Sequence, residues 1–403
     1  MPHPLPDFPE ALRTRAREAV LRGAAWHANV QIRDRWPDWT ADRGRFLSQV
    51  GITTPSRHRW PSICWNTARA AQALLSAYRL QPDDAILETV RLAMEYVKSC
   101  QLFAPEYAEH AGACLEETPL TDHIASRDTV ESIQGFLDVY AVTRDPLMLR
   151  RARAGLDWFT GWFLGNGWPN GYIWLRQGGK GTVNNDFSRL MLSAVALAFA
   201  QHDALTGEAR YGRFIPAVMD WVIDNCLEAD GALRMHDGTQ VGHHAVASGP
   251  LAGCFTNDDG VGIAWIASWR ATGAEKYRQA ALRNGEWWLR LPGLPETHAS
   301  VPAGLLYLLD LYRLSSDRRY LDKSLPYIEH VLARQCRRPD RADVDGGFAG
   351  HDGTGDKREA GHDSADPLDY ISHRTTMYSM LALAKVAARD EAEWNIAYSA
   401  FGW

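Results

Sequence analysis

Residues 127–159 read RDTVESIQGFLDVYAVTRDPLMLRRARAGLDWF. Up to Val142 the stretch carries small and apolar side chains on nearly every face, which suits a helix packed on all sides. From Pro146 its apolar residues fall three and four apart with arginines between them, which suits a helix with one wet face. Thr143-Arg144-Asp145 divides the halves with a helix stop followed by a helix start. A turn this short forces the two helices antiparallel.

The same unit recurs at 64–97, 185–222, 257–289, 301–332 and 373–401, each time an apolar helix before a more polar one. Thr206-Gly207, Thr272-Gly273 and Ser315-Ser316-Asp317 repeat the short turn, whereas the returns 165–184, 228–256 and 337–372 are long and irregular. Six such hairpins predict an all-α (α/α)6 toroid. It spans 1–403 as one domain, with a helical segment over 1–60 closing the ring and a lid-like loop over 337–372. A linear solenoid would need polar capping repeats, and the last unit is as apolar as the others. Function is expected at the long-loop end, where the inner helices begin. Free backbone N–H groups and the positive helix dipole there suit an anionic ligand.

The bulk numbers fit a soluble protein. Of 403 residues, 46% are hydrophobic and 23% charged, enough for a large core. A formal charge of -6 leaves no basic surplus for nucleic acid. The first residues lack a basic region followed by an apolar run, and Leu190 to Ala200 is too short to cross a bilayer, so a cytoplasmic protein without a membrane partner is expected. An oligomer is compatible with all of this. Six scattered cysteines without a C-x-x-C pair read as buried free thiols. His236, His243 and His244 lack the spacing of a further ligand, so neither a metal nor a cofactor is expected. The 16 Trp residues suit core filling or stacking on sugar rings, and composition does not separate the two.

The polar residues at the inner-helix starts form a short set: Trp60, Trp65, Asn66, His123, Arg127, Asp128, Glu131, Asn184, Asn185, Asp186, Arg189, Asn257, Asp258, Asp259, His298, His373, Arg374 and Tyr378. Aspartate at a helix start is by default a cap or a dipole partner. Glu131 also fits a capping box with Asp128, and Arg189 an ion pair with Asp186 one turn earlier. Asn-Asn-Asp and Asn-Asp-Asp exceed what one cap requires, and an Arg in an apolar inner helix is costly unless it lines a wet cavity. The candidate catalytic residues on these grounds are Asp186, Asp258 and Asp259. The candidate binding residues are Arg127, Arg189, Asn185, His373, Arg374, Tyr378 and Trp65.

The stretches from Arg127 and from Asn184 resemble the unsaturated glucuronyl hydrolases and rhamnogalacturonyl hydrolases, glycoside hydrolase families 88 and 105. In those families one inner helix opens on an Asp in a His-Asp-x-Gly-Phe-like motif. The next opens on an Asp before hydrophobic residues and a Thr-Gly turn. The resemblance implies an acid/base at Asp186 and a supporting carboxylate at Asp128, which joins the catalytic candidates on this ground. It covers two of six hairpins, and Arg127 stands where the family has His. NDDGVGIAW from Asn257 is similar to the helix start of the family 76 endo-α-mannanases, which implies catalysis at Asp258 and Asp259.

The expected function is a glycoside hydrolase acting on a glucuronide or unsaturated uronide oligosaccharide by carboxylate acid/base chemistry. A polysaccharide lyase with Tyr378 or a histidine as base is a second reading. A sugar epimerase of the acylglucosamine 2-epimerase type, using paired histidines, is a third. A non-catalytic repeat scaffold would not need so many ionisable groups at one rim.

Overall fold

Four hairpins turn on one device. Thr143, Thr206, Thr272 and Ser315 each bond their hydroxyl back to the carbonyl four residues earlier at 2.7–2.8 Å. Each hydroxyl also accepts the amide two residues ahead at 3.1–3.2 Å. The residue between is left-handed: Arg144 at φ 57°, Gly207 at 74°, Gly273 at 69° and Ser316 at 59°. Glycine adopts this conformation without steric cost, whereas Arg144 and Ser316 are held in it by the bonded turn. Asp145 and Asp317 then cap the following helices through Leu147 and Arg319 N–H, at 2.8 and 2.9 Å.

The computed structural model describes residues 3–33, 42–53, 61–168, 170–177, 181–182, 186–237, 254, 260–295, 300–350, 369–395 and 399–401. Its helices and strands run α1 (Glu10–Val30), β1 (Gln49–Gly51), α2 (Cys64–Leu80), α3 (Asp84–Cys100), β2 (His123–Ala125), α4 (Ser126–Thr143) and α5 (Pro146–Trp158). They continue β3 (Asn170–Trp174), β4 (Gly181–Thr182), α6 (Asp186–Leu192), α7 (Val195–Thr206), α8 (Ile215–Asn225), α9 (Val261–Thr272) and α10 (Glu275–Arg290). The last are α11 (Ser300–Ser315), α12 (Arg318–Ala333), β5 (Tyr370–Ser372), α13 (His373–Ala387) and α14 (Glu391–Trp394).

Helices α2, α4, the broken α6–α7, α9, α11 and α13 pack in sequence, and α13 returns onto α2. Helices α3, α5, α8, α10 and α12 lie outside them. The chain is an (α/α)6 toroid. The sixth outer position is filled from the other end of the chain, because α1 packs along α13. In the last unit, 373–401, residues 391–394 form the single turn α14, and the tail residues 399–401 lie against the inner helices. Buried charge draws that tail across the tight-turn end. Asp310 and Lys385 pair with no exposed surface, and the Ala400 amide donates to Asp310 while the Ala400 carbonyl accepts from Arg270.

The stretch expected to form a lid divides. Over 337–350 it is packed structure: Val344 and Phe348 are buried, and Asp343 O accepts from Trp26 Nε1 at 2.9 Å. Residues 351–368 lie outside the described part. Two small antiparallel sheets, β1–β5 and β2–β3–β4, brace the starts of α13 and α4 at the long-loop end. All six cysteines are free, five of them buried.

A polar seam crosses the inner wall. Arg69 on α2 pairs with Glu131 on α4 and donates to Gln72 at 2.7 Å. Gln72 and Gln201 both donate to Asp138. Burial pushes the Asp138 carboxyl up to about 6, against the pull of the two amides and the Arg79 and Arg69 charges. A raised carboxyl contributes stability that is complete below its unfolded value of 3.8 and is lost as pH rises through about 6. That loss amounts to about 3 kcal/mol. Asp138→Asn is therefore expected to gain about that much on wild type between pH 4 and pH 7.5 in denaturant unfolding. The lost acceptor is a constant offset that cancels in the pH difference. Parallel pH dependences would rule this out.

Candidate active site

The floor of the site is the start of α2. Its first amides need partners from outside the helix, and two acidic residues provide them. Cys64 N–H donates to the Glu116 carbonyl at 2.9 Å, and Trp65 N–H donates to Asp128 Oδ1 at 2.7 Å. Asp128, in the first turn of α4, thus caps the neighbouring helix. It is 1% exposed. Burial pushes its carboxyl well up and the Glu116 charge adds to this, while the Trp65 amide and Arg127 oppose.

Trp65 carries two cations. Arg127 Cζ lies 3.9 Å from its ring centroid and Arg374 Cζ 5.5 Å. Cation–π attraction explains how guanidiniums from the starts of α4 and α13 gather on one ring. The result is a positive, aromatic floor beside a buried carboxyl.

One wall comes from the β2–β3 ladder. His123 pairs with Trp174 and Ala125 with Tyr172, so His123, Tyr172 and Trp174 share a face while Ile124 and Ile173 are buried on the other. A bridge between Leu115 and Ile124 sets Glu116 beside them. Glu116 Oε2 lies 2.8 Å from His123 Nε2, and its Oε1 accepts the Tyr172 hydroxyl at 3.0 Å. Glu116, Tyr172 and Trp174 were not singled out from the sequence. The signal was the short alternation in DHIAS and NGYIW, too brief to register beside the helical repeat.

Asp186 stands in a second cluster. Its Oδ2 accepts the backbone N–H groups of His236 and Asp237 at 2.7 and 3.2 Å, and its own N–H donates to Asp237 Oδ2 at 2.7 Å. This reciprocal clasp fastens the 234–237 segment to the start of α6. Arg189 stacks 4.6 Å from the Trp221 ring centroid and 6.0 Å from that of Trp168. Trp168 holds φ 59°, an uncommon conformation for so bulky a residue.

Two expected rim residues lie inside the wall instead. His373 has no exposed surface: its Nε2 meets the Asn66 carbonyl at 3.1 Å, and its ring stacks on Phe46 and meets His27 edge-on. Tyr378 is equally buried. Both lie within α13 where it packs on α1 and α2, so helix packing accounts for them. Glu131 pairs with Arg69 rather than boxing Asp128. Asn185, Asp258 and Asp259 lie outside the described residues, as do Trp60, Asn184, Asn257, His298, His243 and His244. Among the described residues no group of three or more His, Cys, Asp or Glu is placed to hold a metal ion. A cavity of about 690 Å³ opens at the opposite, tight-turn end between α7 and α9. Its Asp203 is engaged by the Tyr211 and Gly212 amides and its Arg270 by Ala400, so it offers no comparable chemistry.

No protein-family model matches the sequence, and no curated protein is significantly similar to it. Solved structures are similar in fold. An unsaturated glucuronyl hydrolase specific for heparin superposes with a TM-score of 0.65 at 11% identity, over 93% of this chain and 96% of that one. A cellobiose 2-epimerase from Spirochaeta thermophila gives 0.62 at 14% identity, over 94% and 98%. An inactive variant of an α-1,6-mannanase from Salegentibacter, solved with α-1,6-mannotetrose, gives 0.57 at 12% identity, over 94% and 98%. These neighbours are toroid enzymes that differ in reaction. At such identities the likeness is one of fold.

Proposed function

We propose that the chain is a glycoside hydrolase acting on uronic-acid-containing oligosaccharides, with Asp128 as its proton donor. The observation that carries this reading is the floor of the site: Arg127 and Arg374 gathered on Trp65, beside a buried carboxyl that burial pushes well up. A uronate needs a cation for its carboxylate and an apolar face for its ring. A glycosidic oxygen needs a carboxylic acid at neutral pH. Asp128 suits the donor role because burial and the Glu116 charge push its carboxyl well up, whereas Asp186 Oδ2 serves as acceptor for two amides. Asp186 then supports the site by fixing the 234–237 segment.

The epimerase reading calls for two histidines facing the cavity. The pair that the described residues bring together at an inner-helix start, His27 and His373, is sealed inside the wall. The carboxyl-based reading is preferred because Asp128, though equally covered, bonds the Trp65 amide beside the Arg127 and Arg374 guanidiniums.

The reaction class has an optical signature. A lyase creates a C4=C5 double bond that absorbs in the near ultraviolet, whereas a hydrolase creates none. On saturated glucuronides flat absorbance with release of free uronic acid is expected, and on unsaturated uronides falling absorbance. Steadily rising absorbance on a uronate polymer would overturn hydrolysis and leave the fold untouched.

A further inference from the structure

We propose that Tyr172 is a second catalytic residue of this site, passing a proton from the attacking water to Glu116, which His123 holds in place. The inference rests on the hydrolase reading and deepens it by supplying the base that Asp128 cannot be. Tyr172 is 44% exposed, while the side chains of Glu116 and His123 behind it are only 17% and 14% exposed. The carboxylate therefore meets the site through the phenol. Its two oxygens are both engaged, one by Tyr172 Oη at 3.0 Å and one by His123 Nε2 at 2.8 Å. His123 is itself fixed edge-on to Tyr172, with ring centroids 5.1 Å apart, and against Trp174 at 4.6 Å.

The electrostatics agree with a relay rather than a standing phenolate. Burial first, then the Glu116 charge and hydrogen bond, push the Tyr172 hydroxyl upward, so it rests protonated and pointing at Glu116. Its oxygen lone pairs remain for a donor on the open side. The β2–β3 register pairs Tyr172 with Ala125, three residues before Asp128, which puts acid and relay at the same end of the wall.

The step balances without a co-reactant. Water forms the new bond to the anomeric carbon as the glycosidic C–O bond breaks. The water proton moves to Tyr172 Oη while the phenolic proton moves to Glu116 Oε1, and Asp128 gives its proton to the departing oxygen. Two carboxyl groups in unlike environments, one buried and pushed up, the other bonded by a phenol and an imidazole, suit acid and base roles.

The test compares wild type, Tyr172→Phe and Glu116→Gln on a glucuronide, with thermal unfolding recorded for each. Tyr172→Phe is expected to lower kcat on the order of 10²-fold with KM little changed. Glu116→Gln, a positioning and proton-accepting change, is expected to lose a similar factor and to flatten the acid limb of the kcat/KM profile. A purely structural Glu116 would leave that limb in place. If wild type is active and Tyr172→Phe keeps its rate, the relay is overturned and the Asp128 reading stands. If wild type releases no uronic acid from any glucuronide, both fall together. Should Glu116→Gln unfold, the exposed Tyr172→Phe still decides the matter.

Discussion

Asp128→Asn is expected to abolish turnover while leaving the toroid folded. The loss should lie between about 10²- and 10⁴-fold in kcat, or about 3–5 kcal/mol of barrier. Asparagine keeps an oxygen where Oδ1 accepts the Trp65 amide, so the start of α2 stays capped. What disappears is the exchangeable proton that burial and Glu116 stabilise on the carboxyl. Asp128→Ala removes the cap as well and should cost about 1 kcal/mol of stability besides the activity. Steady-state rates with matched melting curves separate the two effects. Asp186→Asn makes the contrast, since it keeps an acceptor for the His236 and Asp237 amides and should be milder. A dead Asp186→Asn beside an active Asp128→Asn would restore the assignment that the family resemblance implies, and dead Asp258→Asn or Asp259→Asn variants would favour the mannanase-like one.

The ring was legible in the sequence because its signal is repetitive. Thr143, Thr206, Thr272 and Ser315 mark four turns with the same hydroxyl, and the inner helices are apolar all round. The ring closes through α1, within the 1–60 segment expected to close it; local pattern says which helix is amphipathic but not which one covers it. Helix α1 takes the place beside α13, and Ala400 bonds to Asp310 at the tight-turn end. The site was half legible. Trp65, Arg127, Asp128 and Arg374 sit at helix starts, where the repeat directs the eye. Glu116 and Tyr172 come from a loop and a five-residue strand, and only the β2–β3 register brings them to Asp128. His373 and Tyr378 showed the converse limit, since the start of an inner helix has a wall side as well as a cavity side.

Acid should loosen the molecule first at the seam between α1 and α13. His27 and His373 lie there with ring centroids 5.2 Å apart and no exposed surface. His27 Nδ1 bonds the Gly23 carbonyl and His373 Nε2 the Asn66 carbonyl, which suits neutral rings with one proton each. Burial lowers His27 to about 3, helped by His373, and lowers His373 to about 4. A base depressed in the folded state contributes stability that is complete above its unfolded value of 6.5 and is lost as pH falls toward the folded one. Down to pH 4.5 the two rings together stand to lose about 5 kcal/mol, because each is limited by the roughly two pH units below 6.5. Asp138 works against this over the same window, returning about 2 kcal/mol as it becomes protonated. The histidines win the comparison, and the net loss is a large share of an ordinary domain's stability. Wild type should therefore lose much of its melting temperature between pH 7 and pH 4.5, and His27→Phe/His373→Phe should lose far less, whatever its stability at pH 7. An equal fall in both would show that the seam does not titrate. Because Arg374 follows His373 and rests on Trp65, the same acid step should weaken uronate binding before the helices melt, a difference that ligand titration alongside circular dichroism would resolve.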